Sequence, residues 1–195
     1  MTSTATHPQL LRGTNLYLVG MMGAGKSTLG KYLATRLDYR FLDTDSLIEH
    51  SAGQTIPNLF RHGGEAEFRA LETQVLEQVA TFPRLVVATG GGIVLNAQNW
   101  GIMRGSGIIV WLDAPLSEIQ HRLAQDPTPR PLLQRPDWPQ HLATLMDQRR
   151  DRYAEADLRL AIHSSEPTDD IAQRLLAQLE ENVRPIPTVP SDIND

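Results

Sequence analysis

The amino-acid sequence predicts an α/β fold, a doubly wound and mostly parallel sheet of about five strands. Three observations support this prediction. Short apolar runs typical of strands alternate with helical patterns along the chain. Two of the runs, Leu85 to Thr89 and Gly107 to Leu112, are almost wholly apolar, as expected of strands buried on both faces of a parallel sheet. A glycine-rich loop lies between the first strand and the first helix.

Two of the predicted strands lead into polar or flexible residues. The second ends in an Asp-Thr-Asp sequence, and three consecutive glycines follow the third. Ligands bind at the carboxyl ends of the strands in open α/β sheets, so both places are expected to face a binding site. The five predicted strands cover residues 16–19, 39–43, 85–89, 107–112 and 158–163.

Helical patterns lie between the strands. Thr55 is the expected N-cap of one helix, with Pro57 in its first turn, and Asn96 caps a short helix that Gly105 ends. From Glu65 to Ala80, apolar residues recur at helical spacing. The remaining helices are expected at residues 29–37, 46–50, 115–123, 139–156 and 168–181.

Length and composition indicate one ordinary globular domain. A chain of 195 residues is long enough for a single core and too short for two good ones. We expect the domain to span residues 15–182, after a flexible N-terminus at 1–14 and before a disordered, proline-containing tail at 183–195. We expect the protein to be a monomer.

The net charge and the cysteine content indicate which binding partners and which cellular compartment to expect. The net charge of -5 argues against nucleic acid, because binding a phosphate backbone needs clustered positive charge. No apolar stretch approaches the roughly 18 residues that suggest a membrane span. Cysteine is absent, which excludes disulfides and permits a reducing cytoplasm, the compartment that we expect. Neither nucleic acid nor a membrane is therefore an expected partner.

The strongest motif is the G-x4-G-K-S loop from Gly20 to Thr28. Its glycines let backbone N–H groups turn around an anion, and the following helix adds its partial positive charge. Lys26 is expected to reach the β- and γ-phosphates of a nucleoside triphosphate, and the Ser27 hydroxyl suits Mg²⁺. A glycine-rich turn that matches by chance is the alternative. The predicted ATP-binding residues here are Gly23, Ala24, Gly25, Lys26, Ser27 and Thr28.

The phosphate loop alone does not separate kinases from GTPases, motors or passive nucleotide binders. The sequence has no N-K-x-D guanine signature, and the chain is too small for the accessory domains of most motors. Asp43 and Asp45 suggest a reaction, because one could approach Mg²⁺ through water while the other faces an acceptor hydroxyl. An acidic turn that caps the next helix is the alternative interpretation.

Three further places could hold an anionic acceptor. Arg69 is predicted in the first turn of a helix, where it needs an anionic partner such as Glu72 at i+3; a surface ion pair is the alternative. Gly90, Gly91 and Gly92 could offer backbone N–H groups to a ligand, or could form only a strand-exit turn. Arg149 begins an Arg-Arg-Asp-Arg run, which in isolation is typical of a solvated helix face.

Residues 126–137 contain four prolines and no periodic pattern, and they are expected to form a mobile flap. Arg130 in this segment could close over the transferring phosphates, since phosphoryl transfer needs its equatorial oxygens neutralised.

These residues together resemble the ordered motif set of the shikimate kinases, over about residues 15–180. The combination of Phe-Arg-x-x-Glu with the later Gly-Gly-Gly and Arg-Pro-Leu is the most specific part. The motifs are the loop from Gly20 to Thr28, Phe41-Leu42-Asp43-Thr44-Asp45, Glu65-x-Glu67-Phe68-Arg69-x-x-Glu72, Thr89-Gly90-Gly91-Gly92, Arg130-Pro131-Leu132-Leu133 and Arg149-x-x-x-Tyr153.

The resemblance implies a nucleoside-monophosphate-kinase-like fold with strand order 2-3-1-4-5. It also implies a shikimate-binding subdomain around residues 46–75 and a closing lid at 126–137. The implied reaction is ATP-dependent phosphorylation of the shikimate 3-hydroxyl in aromatic amino-acid biosynthesis. Shikimate and ATP are then the partners, with Mg²⁺ as the cofactor.

The resemblance also assigns roles to individual residues. Asp45 binds the acceptor hydroxyl and is the candidate base, and Lys26 and Arg130 act on the phosphates. Arg69 and Arg149 hold the shikimate carboxylate, beside the backbone of Gly90, Gly91 and Gly92. Ser27 binds Mg²⁺ directly and Asp43 does so through water. Arg122 resembles an arginine that stacks on adenine, and an adenine-contacting loop falls near Ser164 to Pro167, where Glu166 is not the expected residue.

Other functions remain open at this point. A gluconate-kinase-like enzyme or a nucleoside-monophosphate kinase of the same fold is the second enzyme class. A nucleotide-binding regulator that has lost catalysis is the alternative from a different class. The presence of Asp43, Asp45 and Arg130 argues against a regulator.

Overall fold

The computed structural model describes residues 10–125 and 136–182. Its sheet has five parallel strands in the order β2-β3-β1-β4-β5, which confirms the predicted fold class and strand order. The strands are β1 (Asn15–Val19), β2 (Arg40–Asp43), β3 (Leu85–Ala88), β4 (Gly107–Asp113) and β5 (Leu158–Ala161).

Within the described residues, six α-helices and one short 3₁₀ helix connect the strands, and a seventh α-helix follows the last strand. None of these helices is long and apolar enough to cross a membrane. The helices are α1 (Lys26–Leu37), α2 (Thr44–Ala52), α3 (Ile56–Ala80), α4 (Ala97–Ser106), α5 (Leu116–Gln125), α6 (Trp138–Tyr153) and α7 (Thr168–Asn182), and the 3₁₀ helix is Ile93–Leu95.

The centre of the sheet is completely buried. Every residue of β1 and β3 is buried, so these strands are covered on both faces, as the apolar pattern predicts. β1 lies between β3 and β4, with Leu18 in register with Ala88 and Val110. The chain winds in opposite directions from β1, so the loop that follows this strand lies at the switch point where such sheets bind ligands.

Several element boundaries differ from the prediction. α1 begins at Lys26, inside the loop motif, and α4 continues past Gly105 to Ser106. Gly105 does not end α4, because the helical hydrogen bonds continue until the Gly107 N–H donates to Met103 O. The Asn96 cap is confirmed, since its side chain accepts from the Gln98 N–H.

The long helix α3 joins two segments that were predicted separately. Gly64 interrupts it with φ 72° and ψ -176°, a backbone conformation that only glycine adopts without strain. Arg69 therefore lies five residues after the break and not in a first turn, which corrects its predicted place. Thr55 is the N-cap residue, although its side chain makes no capping hydrogen bond.

The segments at the two ends and the predicted lid are described only in part. Residues 1–9, 126–135 and 183–195 lie outside the described residues, and so do Arg130 and the tail. Leu11 is 2% exposed and packs in the core, so the last residues of the segment 1–14, expected to be flexible, belong to the folded domain.

Candidate active site

The phosphate loop leaves β1 and enters α1 through three glycines with positive φ. The φ angles are 141° at Gly20, 76° at Gly23 and 98° at Gly25. At Gly20 the backbone also passes so close to β4 that a Cβ would lie 2.7 Å from Leu112 O. Other residues rarely adopt these angles, so the glycines account for the path of the loop. The loop delivers the chain to the N-terminus of α1, where backbone N–H groups favour an anion.

Lys26 is the first residue of α1 and lies folded against the loop. Its side chain is buried, and Nζ donates to Gly20 O and to Met21 O, each at 2.8 Å. These two hydrogen bonds hold the ammonium group against the backbone at the start of the phosphate loop.

Ser27 and Asp43 form a hydrogen-bonded pair across the cleft floor. Ser27 Oγ donates to Asp43 Oδ2 at 2.7 Å. Asp43 Oδ1 accepts from the backbone N–H groups of Asp45 and Ser46, at 3.1 and 3.4 Å. Asp43 therefore caps α2, as the alternative interpretation predicts, while its other carboxylate oxygen accepts from Ser27 of the phosphate loop.

Asp45 lies in the first turn of α2 and faces a different direction from Asp43. A Cβ built on Gly90 would lie 2.6 Å from Asp45 Oδ1 and 2.9 Å from Glu72 Oε1. Two carboxylates therefore meet over Gly90, whose missing side chain leaves them room. Thr44 is fully buried and holds the Gly90 backbone beside these carboxylates, because its Oγ1 accepts from the Gly90 N–H at 3.0 Å.

Arg69 and Glu72 form a partly buried ion pair on α3. Arg69 Nη1 donates to Glu72 Oε2 at 2.8 Å, and the Glu72 side chain is 1% exposed. Burial raises the pKa of Glu72, and nearby Asp45 raises it further, against the lowering effect of Arg69. A Cβ on Gly92 would overlap the Arg69 guanidinium, so Gly92 is what allows this arginine to lie against the triglycine backbone.

Arg149 approaches the same backbone from α6. Its Nη1 donates to Gly91 O at 3.2 Å. The structure therefore brings Arg69, Arg149 and Asp45 together around Gly90, Gly91 and Gly92, although they come from three different helices. Arg149 therefore contacts the protein backbone, so the Arg-Arg-Asp-Arg sequence is not only a solvent-exposed face of the helix.

Arg122 lies at the other end of the cleft, on α5. Its Nη1 donates to Ala24 O at 3.3 Å and to Gly23 O at 3.5 Å, while Nε donates to Glu118 at 2.7 Å. The guanidinium thus lies beside the phosphate loop.

Glu166 lies in the loop between β5 and α7 and is held by two groups. Arg174 donates to both of its carboxylate oxygens at 2.8 Å, and the His163 N–H donates to Oε2 at 3.3 Å. The Arg174 hydrogen bonds keep the pKa of Glu166 below its usual value. Glu166 and Arg122 line the same cleft.

The phosphate loop and most of the charged side chains described above line one cleft of about 1360 Å³. It runs from the phosphate loop to the first half of α3, and its walls carry both basic and acidic side chains. Within the described residues, no cluster of three or more His, Asp or Glu side chains is placed to hold a metal ion. The charged lining residues are Lys26, Asp43, Asp45, Glu49, Arg61, Glu65, Arg69, Arg122, Arg149 and Glu166.

The family model for shikimate kinase matches residues 22–180. The chain belongs to the shikimate kinase family. Family membership makes it a kinase, a phosphotransferase whose acceptor is an alcohol group and whose place is the shikimate pathway.

Individual shikimate kinases match most of the chain. The protein of Synechococcus elongatus is 53% identical over 166 residues, which cover 85% of this chain and 86% of that protein. The protein of Microcystis aeruginosa is 48% identical over 184 residues, which cover 94% of this chain and 92% of that protein. The resemblance in the motifs therefore extends over nearly the whole domain.

Solved structures agree with this assignment. A shikimate kinase from Acinetobacter baumannii in complex with shikimate superposes with a TM-score of 0.81 at 38% identity, covering 90% of this chain and 98% of that one. A gluconokinase from Sinorhizobium meliloti superposes with a TM-score of 0.59 at 18% identity. The second likeness shows the shared fold alone.

Sequence reasoning missed two residues of the site. Thr44 stands between the two candidate aspartates, and only the structure shows that its Oγ1 accepts from the Gly90 N–H. Tyr153 appears in the motif with Arg149 but received no role. Its spacing of four residues from Arg149 was the available signal, because side chains at i and i+4 share one face of a helix.

Proposed function

We propose that this cleft transfers the γ-phosphoryl group of ATP to the 3-hydroxyl of shikimate, giving shikimate 3-phosphate and ADP. One observation carries the proposal: a single cleft joins a phosphate loop to Asp45 and to two arginines, Arg69 and Arg149, on the triglycine backbone. The phosphate loop accounts for the donor. A carboxylate beside two arginines suits a small acceptor that carries both a hydroxyl and an anionic group.

The nucleotide would lie along the phosphate loop. Gly23, Ala24, Gly25 and Thr28 line this part of the cleft, so their backbone is available to the phosphates at the start of α1. Lys26, held against the loop backbone by its contacts with Gly20 O and Met21 O, neutralises charge on the β- and γ-phosphates. Arg122 lies where it can contact the base, which fits its resemblance to an adenine-stacking arginine.

The Ser27 and Asp43 pair fits Mg²⁺. A hydroxyl and a carboxylate are hard oxygen ligands, and Mg²⁺ in kinases uses few protein ligands while keeping several waters. We assign Ser27 as the direct ligand and Asp43 as the ligand through water. The ion, when bound, neutralises charge on the transferring phosphates.

Asp45 is the proposed general base. The 3-hydroxyl oxygen of shikimate forms a bond to the γ-phosphorus while the bond to the leaving oxygen of ADP breaks. The hydroxyl proton passes to Asp45. Because Asp43 is already engaged by Ser27 and by the start of α2, the two carboxylates have separate tasks.

Arg69 and Arg149 orient the acceptor. Guanidinium groups bind carboxylates through paired N–H donors, so two of them can fix the shikimate carboxylate at one end of the ring. Gly90 and Gly92 leave the space that this arrangement needs. We keep residues 46–75 as the proposed shikimate-binding region, since α2 and the first half of α3 line this part of the cleft.

Arg130 and the lid at 126–137 complete the proposal on sequence grounds, and Arg130 lies outside the described residues. A monomeric state is likewise part of the proposal on sequence grounds. The small charged substrates and the absence of cysteine support a cytoplasmic enzyme.

A coupled assay of ADP release tests the function directly. Purified protein with Mg²⁺ and ATP is offered shikimate, gluconate and a nucleoside monophosphate in separate reactions. We expect turnover with shikimate and none above background with the other two acceptors. Turnover with gluconate or with the nucleotide, and none with shikimate, would overturn the substrate assignment.

A further inference from the structure

Tyr153 is the last residue of α6, is buried against Gly91 of the cleft lining, and has no role in the proposed mechanism. Its side chain is 1% exposed, and its ring stacks on Trp111 with the ring centroids 5.9 Å apart. A tyrosine buried this deeply must place its hydroxyl against a polar partner.

The hydroxyl donates to the carbonyl of the central glycine. Tyr153 Oη lies 2.6 Å from Gly91 O, and it lies 3.4 Å from Met21 Sδ in the phosphate loop. A hydroxyl has one proton, and a thioether sulfur is a weak acceptor, so the proton lies on the shorter bond to Gly91 O. Burial raises the pKa of Tyr153 to about 12, so this donor remains protonated throughout the range of an enzyme assay.

The same carbonyl is the one that Arg149 contacts. Gly91 O accepts from Arg149 Nη1 at 3.2 Å as well as from Tyr153 Oη, and the two donors lie four residues apart on α6. One backbone oxygen therefore fixes two groups to each other. A glycine without a side chain has few other means of holding its peptide plane.

We propose that Tyr153 is a positioning residue for shikimate: its hydroxyl fixes the Gly91 peptide, and through it the guanidinium of Arg149, in the orientation that receives the acceptor carboxylate. This inference rests on the proposed function. Tyr153 does not touch the reacting atoms, so its effect falls on the acceptor and not on the nucleotide.

The test compares two buried tyrosines. Tyr153→Phe keeps the ring on Trp111 and removes only the hydroxyl. Tyr17→Phe is the matched control, because Tyr17 is also fully buried and its hydroxyl bonds to Ser106 at 2.7 Å, away from the cleft. Thermal unfolding of both variants measures the general cost of losing a buried hydroxyl.

We expect Tyr153→Phe to raise KM for shikimate by about five- to ten-fold, the size of effect of one lost hydrogen bond, with KM for ATP within about two-fold of the wild type. Tyr17→Phe should change neither KM for shikimate nor KM for ATP. An unchanged KM for shikimate in a folded Tyr153→Phe protein would overturn the inference, and so would an equal rise in both Michaelis constants.

A second variant keeps the test valid if Tyr153→Phe is too unstable to assay. 4-Aminophenylalanine at position 153 places an N–H donor at the same point of the ring, so KM for shikimate should match the wild type within about two-fold. A raised KM despite this donor would contradict the inference. If the wild type itself does not phosphorylate shikimate, the proposed function fails instead, and the two failures are distinct.

Discussion

The guanidinium of Arg69 donates to Glu72 Oε2 at 2.8 Å, while the second oxygen of the same carboxylate faces Gly90 and Asp45. Glu72 Oε1 is buried and has no hydrogen-bond partner among the described residues. The ion pair thus satisfies half of a buried carboxylate, next to another carboxylate. The ion pair fixes the position of the Arg69 guanidinium, while burial and the neighbouring carboxylate raise the free energy of the ionised form of Glu72.

This arrangement predicts a pH dependence of stability. Because the pKa of Glu72 is raised in the folded protein, the folded state binds the proton more readily than the unfolded chain does. Its contribution to stability is therefore present below the unfolded pKa, near 4.5, and is lost as the pH rises through the higher folded value. Glu72→Gln cannot titrate and should lack this contribution.

The measurement is thermal unfolding of the wild type and of Glu72→Gln from about pH 4 to pH 8. Relative to the variant, the wild type should lose stability as the pH rises across this window. Parallel curves would show that Glu72 has the same pKa in the folded and unfolded states. An opposite slope would mean that the Arg69 charge outweighs burial.

The second prediction separates two arginines on α6. Arg149→Ala should weaken shikimate binding by about 2–5 kcal/mol, because it removes one partner of a desolvated charge pair. Arg152→Ala is the control, since Arg152 is exposed and pairs with Glu155 at 3.0 Å, a surface contact worth about 0–1 kcal/mol. Calorimetric titration with shikimate measures the binding free energy of both variants. Normal binding by the Arg149 variant would restore the interpretation of a solvated face.

The third prediction concerns Asp45. Asp45→Asn keeps the shape of the side chain and removes its basicity, so the rate of phosphoryl transfer should fall by about 10²–10⁴ if Asp45 is the general base. Single-turnover rates at saturating shikimate give this value, and thermal unfolding checks the fold. A loss confined to KM for shikimate would mean that Asp45 only orients the hydroxyl.

The parts of the molecule that depend on local sequence are predictable from it. The loop from Gly20 to Thr28 is a contiguous motif in which backbone geometry and chemistry follow from residue type. The apolar strands are likewise identified by short runs. The strand order is different, because it follows from the resemblance to a family and not from the runs themselves.

The contacts that depend on tertiary packing are not predictable in this way. Nothing in the sequence around Tyr153 places its hydroxyl on Gly91, 62 residues earlier in the chain. The backbone break at Gly64 lies inside one long helix, so Arg69 lies in the second turn after the break, and only the backbone conformation shows this. At Gly105 the error is one residue, because α4 ends at Ser106 with Gly107 as its C-cap residue, and propensity does not fix a helix end to a single residue.

The last prediction concerns the loop after β5, which by resemblance contacts adenine. Arg174 donates to Glu166 and also to Ala161 O at 2.7 Å, so one guanidinium ties the loop to the end of the strand. Glu166→Gln removes the charge that holds Arg174. The looser loop should raise KM for ATP by about two- to five-fold, as expected for a partly exposed ion pair, and leave KM for shikimate unchanged.

Asp170→Asn provides the control for this variant, because Asp170 is an exposed acidic residue in the first turn of the following helix. It changes the net charge by the same amount and leaves the hydrogen bonds of Arg174 to Glu166 and Ala161 in place. Steady-state kinetics with each substrate varied in turn then separates the loop from a general charge effect. Equal rises in KM for ATP in both variants would assign the change to charge near the nucleotide. An unchanged KM for ATP in Glu166→Gln would show that the ion pair with Arg174 does not position the loop.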